Sequence, residues 1–187
     1  MTEAATDRVK EKRRRILDAA RFLVLKQGLR ATSMEAIARE ARIAKPTLYA
    51  QFTDKDAVFS GIIDEMIGDL LAAYDSGMAG GGDIAERVGA ALAGKYGVIA
   101  GVLAGSAHAA ELYDEHNRLA GRFRAVDERV RDEIAAELRG AGVADAEALA
   151  RLVLASAYGI ARKFGSEAEV GAGIRLMCRR LIGPELG

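Results

Sequence analysis

The 187-residue chain has no tryptophan, one cysteine, two prolines and ten tyrosines and phenylalanines together. The single Cys178 excludes an intrachain disulfide, so the fold rests on packing, and with half its residues apolar the chain can bury a core without cross-links. Pro46 and Pro184 are the only positions intrinsically barred from a helix interior. No stretch approaches the ~18 uncharged apolar residues of a membrane span. Met1–Ala5 lacks the apolar core of a signal peptide, so a cytoplasmic location is the expectation. Net charge is zero but unevenly spread: residues 1–60 hold 13 basic and 8 acidic side chains, and residues 61–187 hold 14 and 19. An anion-binding N-terminal part on a mildly acidic body follows.

What remains is rich in Ala, Leu, Glu and Arg, and apolar residues recur at three-to-four spacing, so the predicted fold is all-α with about nine helices. The first runs from about Asp7 to Lys26, carrying Ile16, Leu17, Ala20, Leu23 and Val24, with Gly28 past its end. The second follows a capping box at Thr32 and Glu35 and buries Met34, Ile37, Ala38 and Ala41. Ala44-Lys45-Pro46 opens a short third helix that ends near Phe52. A box at Thr53 and Asp56 starts a long helix with the stripe Phe59, Ile63, Met66, Leu70 and Tyr74, stopped by Gly77 and Gly80-Gly81-Gly82. Asp83 and Glu86 open a fifth helix to about Ile99. Helices over about Val102–Glu115, Leu119–Arg139, Asp145–Phe164 and one from the Ser166 and Glu169 box complete the chain.

Residues 31–52 are a capped helix, a turn at Arg42-Ile43-Ala44 and a second short helix, which is helix-turn-helix spacing. Met34, Ile37, Ile43, Leu48 and Phe52 take the inward positions. Lys45, Thr47, Tyr49, Ala50 and Gln51 are left outside, where they can reach base edges or phosphates. Lys10, Lys12, Arg13, Arg14 and Arg15 precede them as a basic arm able to release phosphate counterions.

Helix one, Gly28, Thr32-Ser33-Met34, Ile37-Ala38, Lys45-Pro46-Thr47-Leu48-Tyr49, Phe52, Lys55 and Phe59 together resemble the N-terminal domain of the tetracycline-repressor (TetR) family of bacterial transcriptional regulators. The resemblance covers about residues 10–65. It implies a flexible arm over 1–9, a helix-turn-helix DNA-binding domain over 10–56 with the motif at about 33–52, and a helical effector-binding and dimerisation domain over 57–187. By the same resemblance Thr32, Ser33, Tyr49 and Lys55 would meet phosphates, and Ala44, Lys45, Thr47 and Ala50 would face bases, with Pro46 at the helix start. The family usually has Gly where Arg42 stands and Ser or Thr where Ala44 stands. A less stable turn is therefore expected, with Arg42 adding charge near DNA. The small Ala44 and Ala50 favour methyl contacts with thymine over hydrogen-bonded readout.

The implied protein is a homodimeric DNA-binding regulator, a repressor released from a pseudo-palindromic double-stranded operator by a small apolar effector. It would be cytoplasmic, nucleoid-associated when on DNA, and neither an enzyme nor dependent on a cofactor. Small residues on the last two helices suit close approach across a two-fold axis. The expected interface residues are Leu152, Ala155, Ser156, Gly159, Phe164, Ile174, Met177 and Leu181. The expected effector pocket is lined by Met66, Leu70, Tyr74, Tyr96, Leu103, His108, Tyr113, Phe123 and Tyr158, a mostly apolar set with a few hydroxyls. Each of these also reads as plain core.

Two rival readings bear on the same residues. His108, Glu111, Glu115 and His116 lie within nine residues and could hold a metal in a hydrolase, but the spacing matches no hydrolase motif and no metal is expected. A helical adaptor that binds protein and not DNA is the other alternative. Cys178 could sense redox, although nothing beyond Arg179-Arg180 marks it as activated.

Overall fold

The computed structural model describes residues 3–104, 108, 120–163 and 166–186. Among the described residues there are eight α-helices and no strand: α1 (Glu3–Gln27), α2 (Met34–Glu40), α3 (Lys45–Gln51), α4 (Lys55–Met78), α5 (Ile84–Ala104), α6 (Ala120–Gly140), α7 (Ala146–Lys163) and α8 (Glu167–Leu181). A 3-10 turn at Gly183–Leu186 follows. The all-α expectation holds. The helix expected over 102–115 loses its first residues to α5, which extends to Ala104, and apart from His108 the rest of it lies outside the described residues. α1 begins at Glu3, so most of the segment expected as an arm over 1–9 is helical.

The chain divides into two compact units, the first running to Met66 and including His108, the second beginning at Ile67. The first is built on Ile16, Leu17, Ala20, Val24, Ile37, Leu48, Phe52, Val58, Phe59 and Ile62, all buried. Gly61 lets α4 approach α1 closely: a Cβ there would lie 2.8 Å from the Leu17 side chain. The second unit packs α5 mainly against α8, with α7 contacting α5, α6 and α8. Its core holds Val88, Leu92, Tyr96, Val130, Ile134, Leu138, Val153, Ala157, Val170, Ile174 and Cys178.

Three ion pairs fasten α6: Lys95 to Asp127 at 2.6 Å, Arg87 to Glu137 at 2.6 Å, and Arg129 to Asp75 at 2.9 Å. Lys95 is itself buried, with its ammonium 4.2 Å from the centroid of the Tyr96 ring. Helix starts follow the expected chemistry with two shifts of residue. Ser33 and not Thr32 caps α2, accepting from the Ala36 amide, and Asp54 and not Thr53 caps α4, accepting from the Ala57 amide at 2.8 Å. The boxes at Asp83 and Glu86 and at Ser166 and Glu169 both form reciprocally.

Candidate nucleic-acid interface

α2 is set by its apolar residues. Met34, Ile37 and Ala38 turn into the core of the first unit, and the helix ends when the chain enters the left-handed region at Arg42, φ 53°. The ending is a Schellman motif: the Arg42 amide donates to Arg39 O at 3.2 Å and the Ile43 amide to Ala38 O at 3.0 Å. Arg15 on α1 supports it by donating to Ala41 O at 2.8 Å. The expected departure from glycine thus falls on the one non-glycine residue with positive φ among the described residues. α3 opens at Ala44, which supplies no side-chain cap, with Pro46 in its first turn. Leu48 is fully buried and Phe52 nearly so, and these two fix the roll of α3.

The opposite face of α3 is open. Lys45, Pro46, Tyr49 and Ala50 are exposed, Tyr49 at 48%, and Thr47 and Gln51 are half-buried. Lys45 pairs with Glu35 on α2 at 3.0 Å, and that hydrogen bond holds the Glu35 carboxyl below its usual range. Lys55 donates to Leu29 O at 3.1 Å, tying α4 to the loop after α1 while leaving further N–H groups available. On α1, Lys10, Lys12, Arg13, Arg14 and Arg15 are all exposed; Arg13 stacks on the Phe52 ring at 4.3 Å and Arg14 pairs with Glu11.

Residues 16–62 match the family model described as bacterial regulatory proteins, tetR family. That segment, from Ile16 on α1 to Ile62 on α4, is similar to the TetR family. The fold agrees beyond that segment. A TetR-like transcriptional regulator from Rhodococcus sp. RHA1 superposes with a TM-score of 0.70 at 22% identity, covering 92% of this chain and 96% of that one. A TetR/AcrR-family regulator from Thermobifida fusca gives 0.68 at 24% identity over 90% and 96%, and the SmeT–triclosan complex gives 0.69 at 18% identity over 91% and 90%. No curated protein matches the sequence. Beyond residues 16–62 the likeness to these proteins is one of fold.

Most residues that sequence reasoning assigned to DNA sit together on or beside α3. Thr32 is the exception. It is 1% exposed and its hydroxyl donates to Gly28 O at 2.9 Å, so it holds the loop after α1 instead of facing outward. The correction has a simple cause: a Thr flanked by Ala31 and an N-cap serine has its hydroxyl within reach of the carbonyl four residues back.

Of the expected pocket residues, Met66 and the half-buried His108 belong to the first unit, and Leu70, Tyr74, Tyr96 and Phe123 lie buried or half-buried in the second. The Tyr74 hydroxyl is buried with no hydrogen-bond partner among the described residues, and burial followed by the nearby Glu133 carboxylate raises its pKa. Tyr158 does not join them: it stands on the outer face of α7 with Arg162 over its ring at 5.9 Å. The side chains of Leu103 and Tyr113 lie outside the described residues, as do Glu111, Glu115 and His116. No cluster of three metal-ligating side chains occurs among the described residues, and no described helix is long and apolar enough to cross a membrane.

The expected interface also divides. Leu152, Ala155 and Gly159 are exposed on α7, Leu152 at 51%, and Ser156, Met177 and Leu181 are half-buried. Ile174 is fully buried in the second unit's own core, which corrects its assignment, and Phe164 lies outside the described residues. Leu176 was missed: it is half-exposed on α8, beside the exposed Ala172 one turn earlier. Its sequence signal was a large apolar residue set off the Val170, Ile174 and Cys178 stripe.

Proposed function

We propose that the chain works as a homodimeric repressor that reads double-stranded DNA with α3 and leaves it when a small apolar effector binds the second unit. The observation that carries this reading is the open face of α3, with Lys45, Thr47, Tyr49 and Ala50 outward on a buried Leu48 anchor, beside a basic α1. The half-exposed Leu152 and Leu176 and the small Ala155, Gly159 and Ala172 support a four-helix interface of α7 and α8 with their copies. Such a dimer presents two recognition helices to half-sites a helical turn or a small multiple apart. An effector that favours a shifted α4 changes their separation and forfeits the avidity of paired binding. Ser33, Arg42, Tyr49 and Lys55 are assigned to the phosphates, and Ala44, Lys45, Thr47 and Ala50 to the bases.

The Tyr74 hydroxyl, without a partner among the described residues, supports an effector with one acceptor on an apolar body, since leaving such a group unpaired costs about 1–3 kcal/mol. A solved structure of similar fold, that of SmeT, is a triclosan complex. The test is fluorescence anisotropy with DNA from the chain's own upstream region against scrambled DNA, over a salt series. Preferential, salt-sensitive binding that Lys45→Ala and Tyr49→Ala weaken without breaking the dimer is the expected result. Absence of binding to either DNA at low salt overturns the reading in favour of a protein adaptor.

A further inference from the structure

Phe22 stands on the outer face of α1, 49% exposed, with Asp18 four residues before it and Lys26 four residues after. Residues four apart share a helix stripe, so the three form a row: carboxylate, phenyl ring, ammonium. Lys26 Nζ lies 5.5 Å from the ring centroid, and Asp18 is exposed, 3.9 Å from Arg21. Beside the row runs an open groove of about 420 Å³, lined by Arg15, Asp18, Ala19, Phe22, Glu40, Ala41 and Arg42. Asp18 and Glu40 offset the charges of Arg15 and Arg42 there, so the Phe22 side of the groove is of mixed sign and not basic. The charges instead suit a surface of the same mixed pattern.

The row is its own complement. Two α1 helices laid antiparallel about a two-fold axis through Phe22 stack ring against ring and bring each Asp18 opposite the other copy's Lys26, twice. An isologous contact needs that reciprocity, and an aromatic centre ringed by charge pairs is the pattern of an interface hot spot. We infer that this α1 face docks a second copy of itself. The contact lies on the outer face of α1, distinct from the α7 and α8 surface. It is small, so it is weak in dilute solution and becomes populated where copies are held close together. On the reading of the chain as a DNA binder, it would let neighbouring copies occupy DNA cooperatively; the contact itself requires no DNA.

The test is carbodiimide cross-linking of the full chain at high concentration without DNA, which joins a carboxylate to an amine only where the two touch, on a mixture of isotopically light and heavy chains so that links between copies are told from links within one. The expected result is an Asp18–Lys26 link between copies, with a yield that falls at least about tenfold in Phe22→Ala, as an effective-concentration effect. Asp18→Lys should abolish the link, and Asp18→Lys with Lys26→Asp should restore it with the roles reversed. Absence of an Asp18–Lys26 link between wild-type copies, or an equal yield in Phe22→Ala at unchanged helicity, overturns the inference. Because DNA is absent, loss of operator binding in a separate experiment would not mimic either outcome.

Discussion

Arg42 and Gly142 occupy the same place in two copies of one helix ending. Each donates its amide to the carbonyl three residues back, each is followed by an apolar residue bonded to the carbonyl five back, and each has positive φ, 53° and 85°. Only Gly142 does so without a Cβ. An L side chain in that region costs about 1–2 kcal/mol, which Arg42 bears at the turn that aims α3. Arg42→Gly should therefore raise stability by about 0.5–1 kcal/mol after the added entropy of the unfolded chain, and Gly142→Arg should lower it by about 1 kcal/mol. Chemical denaturation of the two variants checks both signs. A Cβ at Gly142 meets nothing within 4 Å, so its cost is backbone alone.

The Lys45–Glu35 pair sets a second expectation. Lys45 faces outward at the start of α3 but is held at 3.0 Å by a carboxylate that also opposes phosphates. Glu35→Gln should raise affinity for DNA about two- to fivefold at low salt, the range set by an exposed ion pair, with the gain fading as salt rises. Lys45→Ala should reduce affinity and, as the loss of a base contact, should narrow the preference for operator over scrambled DNA. Titrations over several salt concentrations separate the two effects.

Lys95 and Asp127 should respond unequally to removal. The ammonium is 3% exposed and the carboxylate 48%, so deleting the acid strands a buried charge and deleting the base returns an acid to water. Asp127→Asn is expected to cost about 2–4 kcal/mol and Lys95→Met far less, because replacing a buried ion by an apolar chain of similar volume is often neutral. Thermal or urea unfolding of both variants measures the asymmetry. Equal costs would mean that the pair's geometry, and not desolvation, governs the site.

Two glycines on α4 separate packing from propensity. A Cβ at Gly77 would collide with the backbone of Ala90 and Ala91 on α5, whereas one at Gly68 meets nothing within 4 Å. Gly77→Ala should cost about 3 kcal/mol or more, since a backbone cannot yield as a side chain can. Gly68→Ala should gain about 0.5–1 kcal/mol from helix propensity. Unfolding midpoints moving in opposite directions are the expected outcome.

The same glycine shows what a sequence carries and what it does not. Gly77 read as a helix stop, yet α4 passes through it to Met78, because the glycine serves an approach by α5 that no local pattern encodes. The helix-turn-helix was legible because its capping, its Pro46 and its inward apolar set are all local, and because Leu48 and Phe52 leave one face of α3 free. The capping residues at Ser33 and Asp54 were each misplaced by one position, since adjacent Thr and Ser or Thr and Asp offer equivalent oxygens. The outward turn of Leu152, Tyr158 and Leu176 was less legible: an apolar residue beside a core stripe reads as core until the helix is rolled by its neighbours.

Cys178 makes stability fall at high pH in a way one substitution can isolate. The thiol is fully buried on α8 and burial pushes it up from an ordinary value of 9.0 to about 12. Between those values the unfolded chain releases a proton that the folded chain keeps, so stability is intact below pH 9 and declines as pH rises towards 12. The slope from this one group is at most about 1.4 kcal/mol per pH unit, and Tyr74, whose pKa is also raised by burial, adds to the decline from about pH 10. Urea unfolding of the wild-type chain and Cys178→Ala across this range should show the difference between them shrinking as pH climbs, because only the wild type loses the thiol's contribution. A thiol reagent at neutral pH should label Cys178 only on unfolding; rapid labelling of the folded chain would show an accessible thiolate and remove the basis of the pH prediction.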